Sequence, residues 1–555
     1  MKQEQGFIDY IEQSIIRNWD LNALTDYKGA TLQYKDVARK IAKFHIVLEG
    51  ADIKPGDKIA VCGRNSAHWA VAFLATLTYG AVIVPILHEF KADNIHNIVN
   101  HSGAKLLFVG DQVWENLNEE IMPHLQGIVL LNDFSLVVCR NPRHMVAFEN
   151  RNAIYGARYP KNFRPEHICY RKEQSPDELA IINYTSGTTG YSKGVMLPYR
   201  SLWSNVAYCH EMLPIRPGDN MVSMLPMGHV FGMTYDFLYG FSAGAHLYFL
   251  TRMPSPKIIA QSFAEIKPRV ISCVPLIVEK IIKKNILPRI DNRIGKLLLR
   301  MPIINDKIKA EARKRAMEIF GGNFDEIIIG GAPFNAEVER FLKSIGFPYT
   351  IAYGMTECGP IICSSRWETL KLASCGKATT RMEVKIDSPD PQHTAGEIIC
   401  RGANLMLGYY KNPEATAQII DVNGWLHTGD LATMDAEGYV TVRGRSKNML
   451  LTASGQNIYP EEIESKLNNM PYVAESLIVL QQDKLVALIY PDFDEAFSHG
   501  LQQSDIERTM ENNRNELNQQ LPGYCQITKI KIHFEEFEKT AKKSIKRFLY
   551  QEAKG

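Results

Sequence analysis

Short apolar runs rich in β-branched residues recur along most of the chain, at Lys58–Val61, Ala81–Pro85, Lys105–Val109, Gly127–Leu131, Val270–Val274 and Ile327–Ile329. Runs of this length without polar alternation predict strands buried on both faces. Between them, as in Tyr34–Leu48 and Ala336–Ile345, apolar positions return with helical spacing. Strands separated by helical lengths predict βαβ units and a largely parallel sheet. No fixed period repeats, which excludes a solenoid. The uncharged run Ser66–Leu87 is long enough to be weighed as a membrane span, but Gly80 and Pro85 interrupt it. It reads as a buried helix stopped at Gly80, followed by a strand over Val82–Val84.

After about Asn423 the texture changes to short segments with glycine turns, at Asp435–Gly438, Gly444 and Gly455, followed by a βα-type tail over Pro460–Tyr550. The expected fold is α/β. Residues 1–446 form a large N-terminal domain of βαβ-type sheets, and residues 447–555 a small mobile C-terminal α+β domain. A length of 555 residues accommodates this division, being about three to four domain-sized units. With 45% hydrophobic and 22% charged residues the chain is globular, not disordered, collagenous or fibrous. Lys+Arg 63 against Asp+Glu 61 gives no global drive toward nucleic acid. The ten cysteines contain no C-x-x-C pair, so zinc spacing is missing. They are too few for a disulfide scaffold, so free thiols in a reducing cytoplasm are expected. The opening MKQEQGFIDYIEQ has no apolar core and is not read as a signal peptide.

One stretch stands apart. Glu279–Ala316 holds twelve Lys/Arg and four Asp/Glu among Ile, Leu and Met. It reads either as a membrane-surface or acyl-chain entry helix, giving peripheral membrane contact, or as a solvated helical face over a core stripe.

The sharpest chemical signal is Tyr184–Gly194, YTSGTTGYSKG, after the apolar stretch Leu179–Ile182. Hydroxyls, close-approach backbone N–H groups and the cation of Lys193 suit polyphosphate oxygens. The spacing is not that of a Walker A loop. On composition alone, an ordinary Ser/Thr/Gly turn competes with this reading.

This string resembles the phosphate loop of the adenylate-forming superfamily of acyl-CoA synthetases, luciferases and peptide-synthetase adenylation domains. Further motifs follow in the family's order: Leu225–Met233 (LPMGHVFGM), Gly330–Pro333 (GGAP), Tyr353–Glu357 (YGMTE), Gly396–Glu397, Arg401–Gly402, Gly408–Tyr410, Gly424–Asp430 (GWLHTGD) and Gly444–Lys447 (GRSK). The resemblance spans nearly the whole chain. It implies a reaction in which a carboxylate attacks the α-phosphate of ATP to give an acyl-adenylate and pyrophosphate, after which CoA takes the acyl group. By the same resemblance Thr185, Ser186, Gly187, Thr188, Thr189, Gly190 and Lys193 hold the β- and γ-phosphates. Gly330, Gly331, Ala332 and Pro333 border the adenine. Tyr353, Gly354, Met355 and Thr356 hold adenine and α-phosphate, with Tyr353 stacked on the base and Thr356 donating to the phosphate. Glu357 binds Mg²⁺, a hard cation that takes oxygen ligands. Asp430 accepts from both ribose hydroxyls, Arg445 binds near the ribose, and Lys447 is the hinge between domains. His229 flanks the carboxylate pocket, although a lone histidine in an apolar loop is also a common packing residue.

The resemblance extends to the long-chain fatty acyl-CoA synthetase branch, through Val270–Lys280 and the basic–apolar segment after it. Phe231 is followed by Gly232, not by an acid that would grip an α-ammonium, which disfavours an amino-acid substrate. An apolar pocket closed by Phe231, Gly232, Met233 and a Val274–Pro275 turn suits an alkyl tail, at about 0.8 kcal/mol per buried CH₂. The expected partners are therefore a fatty acid, ATP and CoA, with no nucleic acid.

One departure stands out. The family places its catalytic lysine in K-T-x-x-G-K-I-x-R, and here the string is Lys539–Arg547, KTAKKSIKR. Aligned without gaps, Lys543 replaces the glycine and Ser544 the lysine. Either Lys543 serves after a one-residue shift of the loop, or adenylation is weakened. The ordinary reading of Lys542, Lys543 and Lys546 is a solvated basic tail. Two alternatives to a CoA ligase follow: a degenerate member that binds nucleotide or acyl chain without full turnover, and an enzyme that loads a separate carrier protein.

Overall fold

The computed structural model describes residues 6–185, 192–251, 256–290, 302–451, 457–482, 484–540 and 545–551. It is a mixed α/β structure, a large N-terminal body of stacked sheets followed by a smaller C-terminal part. The principal sheet has eight strands. Five of them, Leu179–Thr185, Val82–Ile86, Lys58–Cys62, Leu106–Val109 and Gly127–Leu130, run parallel, as the continuous apolar runs predicted. Beyond Leu179–Thr185 the sheet continues with Lys193–Pro198, antiparallel to it, and ends on Gly408–Tyr409. The apolar stretch before the hydroxyl-rich loop therefore runs on to Thr185 and returns, so residues 186–191 join two antiparallel strands whose ends, Thr185 and Lys193, are direct partners.

The uncharged run folds as expected. Ser66 caps the helix Ala67–Tyr79 by accepting from the Trp69 N–H (3.1 Å), and Gly80, at φ +86°, ends it in the left-handed conformation that glycine adopts without a Cβ clash. Among the described residues no helix is long and apolar enough to cross a membrane.

A second sheet orders Val270–Cys273, Glu326–Gly330, Tyr349–Gly354, Ile361–Ser364 and Lys377–Ala378. Its first three strands are parallel, and their register aligns Ile328 with Ser272 and Thr350, and Gly330 with Ala352. Side chains alternate across a sheet. Ile327 and Ile329 therefore enter the core beneath the helices Pro256–Ile266 and Pro302–Ile319, while Ile328 joins the core that contains Phe231. Against that second face lies Gly232–Tyr239, a π-helix buried throughout. π-Helical turns are rare and concentrate at functional sites. A third sheet, Met382–Asp387, Gly396–Gly402, Leu426–Met434 and Val440–Arg445, is antiparallel and leads into the C-terminal part. There Val473–Gln481, Lys484–Pro491 and Lys529–Ile532 form a sheet packed on Pro460–Leu467 and Gln503–Gln519.

Two local expectations are corrected. Val274–Pro275 is not a turn: Val274 caps the helix Pro275–Asn285, with Pro275 at its first position, where the missing N–H costs nothing. The basic–apolar stretch is not one helix. Val278, Ile281 and Ile282 on its first helix, Ile286 just after it, and Ala312 and Ala316 on its last helix pack into the core. Residues 291–301 lie outside the described set. Lys283 reaches across to the C-terminal part, its Nζ donating to Asn469 Oδ1 (2.7 Å).

Candidate active site

The motifs converge where the principal and second sheets meet. Thr185 and Lys193 mark the two ends of the hydroxyl-rich loop; Ser186, Gly187, Thr188, Thr189 and Gly190 lie outside the described residues. The Lys193 ammonium sits over the Tyr409 ring, 4.8 Å from its centroid. The Tyr409 hydroxyl donates to Glu357 Oε1 (2.7 Å), and the Glu357 carbonyl accepts from the Met406 N–H (2.9 Å). Glu357, buried beside buried Thr356, is thus fixed by the strand that carries Tyr409. Tyr409 was legible only as the middle of Gly408–Tyr410; its contact with Glu357 spans 52 positions.

The turn that delivers Thr356 and Glu357 depends on one glycine. A Cβ on Gly354 would stand 1.9 Å from the Pro360 carbonyl oxygen, so no other residue lets Tyr353–Glu357 lie so close to the next strand. Tyr353 points to the other side, where its hydroxyl donates to Asp430 Oδ2 (2.7 Å). Arg445 Nε meets Asp430 Oδ1 at 2.9 Å, bringing the two residues that the third sheet pairs directly. Both carboxylate oxygens of Asp430 are engaged. Burial pushes its carboxyl above the ordinary range, while Arg445 pulls it back. The nearby carboxylates of Glu461 and, to a lesser degree, Glu357 add to the rise. Gly331, Ala332 and Pro333 form an exposed lip after the strand that ends at Gly330.

The Leu225–Met233 segment is clamped from two sides. Asn65 accepts from the Met227 N–H (2.9 Å) and donates to the Leu225 carbonyl (2.7 Å); Asn183 donates to the Gly228 carbonyl (2.9 Å). His229 Nδ1 accepts from the Phe231 N–H (3.2 Å). Phe231 lies against Gly330, and Met233 is fully buried. Val274 packs on the same core. Pro275 is buried at its helix start.

Among the described residues no group of three or more His, Cys, Asp or Glu side chains is arranged to hold a metal ion. A single buried carboxylate, Glu357, next to the Thr356 hydroxyl is the donor set that suits a Mg²⁺ carried on nucleotide phosphates, since that ion keeps most of its ligands as water and phosphate. Lys447 is exposed in the 3₁₀ turn Ser446–Asn448, just after Arg445. Ser446 donates to the Gly429 carbonyl (3.0 Å), and Asn448 donates to Glu461 (2.6 Å) in the C-terminal part. Lys543 and Ser544 lie outside the described residues. Their flanks are committed: Lys539 pairs with Glu475 (2.7 Å), Lys546 with Glu538 (3.1 Å), and Arg547 with Glu464.

Desolvation favours the neutral form of two buried carboxyls, Asp236 and Glu326. Asp236, on the π-helix, accepts from the Leu225 and Met224 N–H groups, yet desolvation pushes it up to about 8. Desolvation also pushes Glu326 up to about 8, against the pull of the Trp367 N–H. Both values are raised on folding, so the folded chain binds more protons than the unfolded one. Their contribution to stability is complete below the ordinary carboxylate range and is lost as pH rises toward about 8. The melting temperature is expected to fall across that window, and Asp236→Asn with Glu326→Gln to flatten the fall. An unchanged slope in the double variant, followed by circular dichroism, rejects the assignment.

Comparison with known proteins adds three findings. The profile of the AMP-binding enzyme family matches residues 11–410, and that of the AMP-binding enzyme C-terminal domain matches residues 447–553. The chain is 27% identical over 495 residues to a long-chain-fatty-acid–CoA ligase of Escherichia coli O157:H7, covering 85% of this chain and 82% of that one. It is 29% identical over 473 residues to a (methyl-dioxo-octahydroindenyl)propanoyl:CoA ligase of Rhodococcus jostii (strain RHA1), covering 83% of each. Among solved structures it superposes on an anthranilate CoA ligase in complex with anthranoyl-AMP, with TM-score 0.78, 19% identity, and coverage of 98% of this chain and 96% of that one; at that identity the likeness shows the fold.

Proposed function

The chain belongs to the AMP-binding enzyme family, and from that premise we propose that it is an ATP-dependent ligase joining a carboxylic acid of the fatty class to CoA. The observation that carries this reading is the linkage of Lys193, Tyr409 and Glu357, which puts the end of the hydroxyl-rich loop and the buried carboxylate at one point. The relatives named above, both CoA ligases, support it.

Adenylation forms a bond from the substrate carboxylate oxygen to the α-phosphorus and breaks the bond to the bridging oxygen, so pyrophosphate leaves. Positioning and charge neutralisation supply most of the acceleration in such transfers. In this reading Thr185, Lys193 and the loop between them bind the β- and γ-phosphates, and Thr356 donates to the α-phosphate. Glu357 would hold Mg²⁺, which when bound would supply positive charge at the phosphates. Tyr353 and Gly330–Pro333 border the adenine. Asp430 binds the ribose hydroxyls, which take the place of its contact with exposed Arg445. His229 Nε2 faces the substrate carboxylate. In the second step the CoA sulfur attacks the acyl carbon and AMP leaves. Pyrophosphate release measured across fatty acids of graded length, with and without CoA, tests the whole: release without thioester formation favours a carrier protein as acceptor, and no release favours a degenerate binder.

The two half-reactions present different demands to one site, and we assign the change to rotation about Lys447, since hinges confine large φ/ψ changes to a few element-terminal positions. Lys447→Pro, which fixes φ near −65°, should reduce thioester formation about tenfold more than adenylation. Equal loss in both steps, read by separate pyrophosphate and acyl-CoA assays, counts against a hinge here.

A further inference from the structure

Toward the far edge of the principal sheet lies a space that the ligase chemistry does not use. The helices Tyr34–Gly50 and Pro142–Arg158 flank a cavity of about 440 Å³, within the range of about 300–1,000 Å³ in which proteins bind small ligands. The turn after Gly127–Leu130 supplies one of its walls, Phe134. That strand stands four places along the sheet from Leu179–Thr185, about 19 Å at about 4.8 Å per strand, so the cavity is separate from the hydroxyl-rich loop. The turn does lie at the carboxyl end of the parallel strands, the end at which open α/β sheets bind ligands.

The floor of the cavity is aromatic. Phe44 comes from the first helix and Phe148 from the second, and Phe134 meets Phe44 edge to face at 4.6 Å. Phe134 holds φ at +59°, a conformation that strains a bulky residue and persists only where its surroundings impose it. The rim is cationic. The Lys40 ammonium lies over the Phe134 ring (5.7 Å to the centroid), the Arg151 guanidinium over Phe148 (5.7 Å), and Lys43 over the adjoining Tyr155 (5.0 Å). Among the described residues Arg39 pairs with Asp36 (3.2 Å), whereas Lys40, Lys43 and Arg151 have no carboxylate at ion-pair distance. The two acids of the wall are engaged by backbone: Asp36 accepts from the Gln33 N–H (3.0 Å) and Asp133 from the Ser135 N–H (2.9 Å). Four cations against two acids leave an excess of two positive charges. Burial, then the like charge of Lys43, pull Lys40 below the ordinary lysine range, and Asp36 only partly offsets this. An anion in the cavity would relieve that cost.

We propose that this cavity is a second ligand site, for a phosphate monoester on an apolar or planar body, with Lys40, Lys43 and Arg151 holding the dianion and Phe44, Phe134 and Phe148 the body. The dianion matches the excess of charge, and guanidinium and ammonium groups suit phosphate oxygens. A lipid phosphate and a nucleotide share this chemistry.

Labelling of the full chain with decyl phosphate that carries a terminal diazirine, without ATP, and mapping of the label by mass spectrometry test the site. The label is expected on the peptides that contain Phe134 and Phe148. Stronger competition by decyl phosphate than by AMP assigns a lipid phosphate, and the reverse a nucleotide; either upholds the site. Decanol, which has the body without the charge, should compete at least about tenfold less well, the effect of one charge-assisted hydrogen bond. Lys40→Ala with Lys43→Ala should cut the labelling at least about tenfold, and Arg151→Gln about tenfold; the second variant serves if the first fails to fold. Label confined to other segments, competition by neither phosphate, competition by decanol as strong as by decyl phosphate, or labelling indifferent to the substitutions overturns the proposal. The label is read without turnover, so the site stands or falls apart from the ligase reading.

Discussion

Replacing Glu357 by glutamine should lower adenylation about 10²- to 10³-fold while leaving the melting temperature nearly unchanged. The two outcomes separate because the carboxylate has two neighbours with different needs. Toward Tyr409 it is only a hydrogen-bond acceptor (2.7 Å), and the amide oxygen of glutamine accepts equally well. Toward the nucleotide it is read as the hard anionic ligand of Mg²⁺, a role that a neutral amide fills poorly. The buried Thr356–Cys358 turn therefore keeps its shape and loses its charge. Pyrophosphate release over a Mg²⁺ titration, beside a thermal melt, checks this. Near-normal rates at limiting Mg²⁺ would remove Glu357 from the site.

The second large effect concerns the tail. Charge accumulates on oxygen as the carboxylate attacks phosphorus, and a cation helps only when held in place beforehand. Ser544, where the family has its lysine, offers a neutral hydrogen bond. Lys539 and Lys546 are occupied by Glu475 and Glu538, which narrows the candidates on this stretch. Lys539 and Ile545 form an antiparallel bridge that fixes where residues 540–544 begin and end. Partners six positions apart in an antiparallel bridge require the chain to turn back between them, so the strict side-chain alternation of extended chain does not exclude Lys543. If it does act, Lys543→Ala should cost adenylation about 10²- to 10³-fold and spare thioester formation from supplied acyl-adenylate, and Ser544→Lys should change little. If adenylation is naturally weak, Ser544→Lys should raise it and Lys543→Ala should be nearly silent. Silence of both in an active enzyme would take this stretch out of the chemistry.

Elements whose signal is local were legible in the residues alone. The strands Lys58–Cys62, Leu106–Val109 and Glu326–Gly330 announce themselves as apolar runs, and the helix Ala67–Tyr79 by the cap at Ser66 and the stop at Gly80. The family follows from motifs that are each contiguous, because close backbone approach to a phosphate has to be met by neighbouring residues. What the sequence left open is how those motifs meet. Tyr409 fastening Glu357 and Tyr353 reaching Asp430 join residues from different elements, Arg445 meets Asp430 across neighbouring strands of the third sheet, and no periodicity records a partner. Asp325–Glu326 reads in the sequence as an acidic pair at the edge of a strand. The parallel register and the two-residue alternation turn Glu326 inward beneath the π-helix, while Asp325 stays outside on Arg269 (2.6 Å). Local pattern determined which segments are buried. Only the stacking of sheet on helix decided which buried atoms face one another, since that pairing is set by long-range contacts whose free energy is gained when the whole core closes.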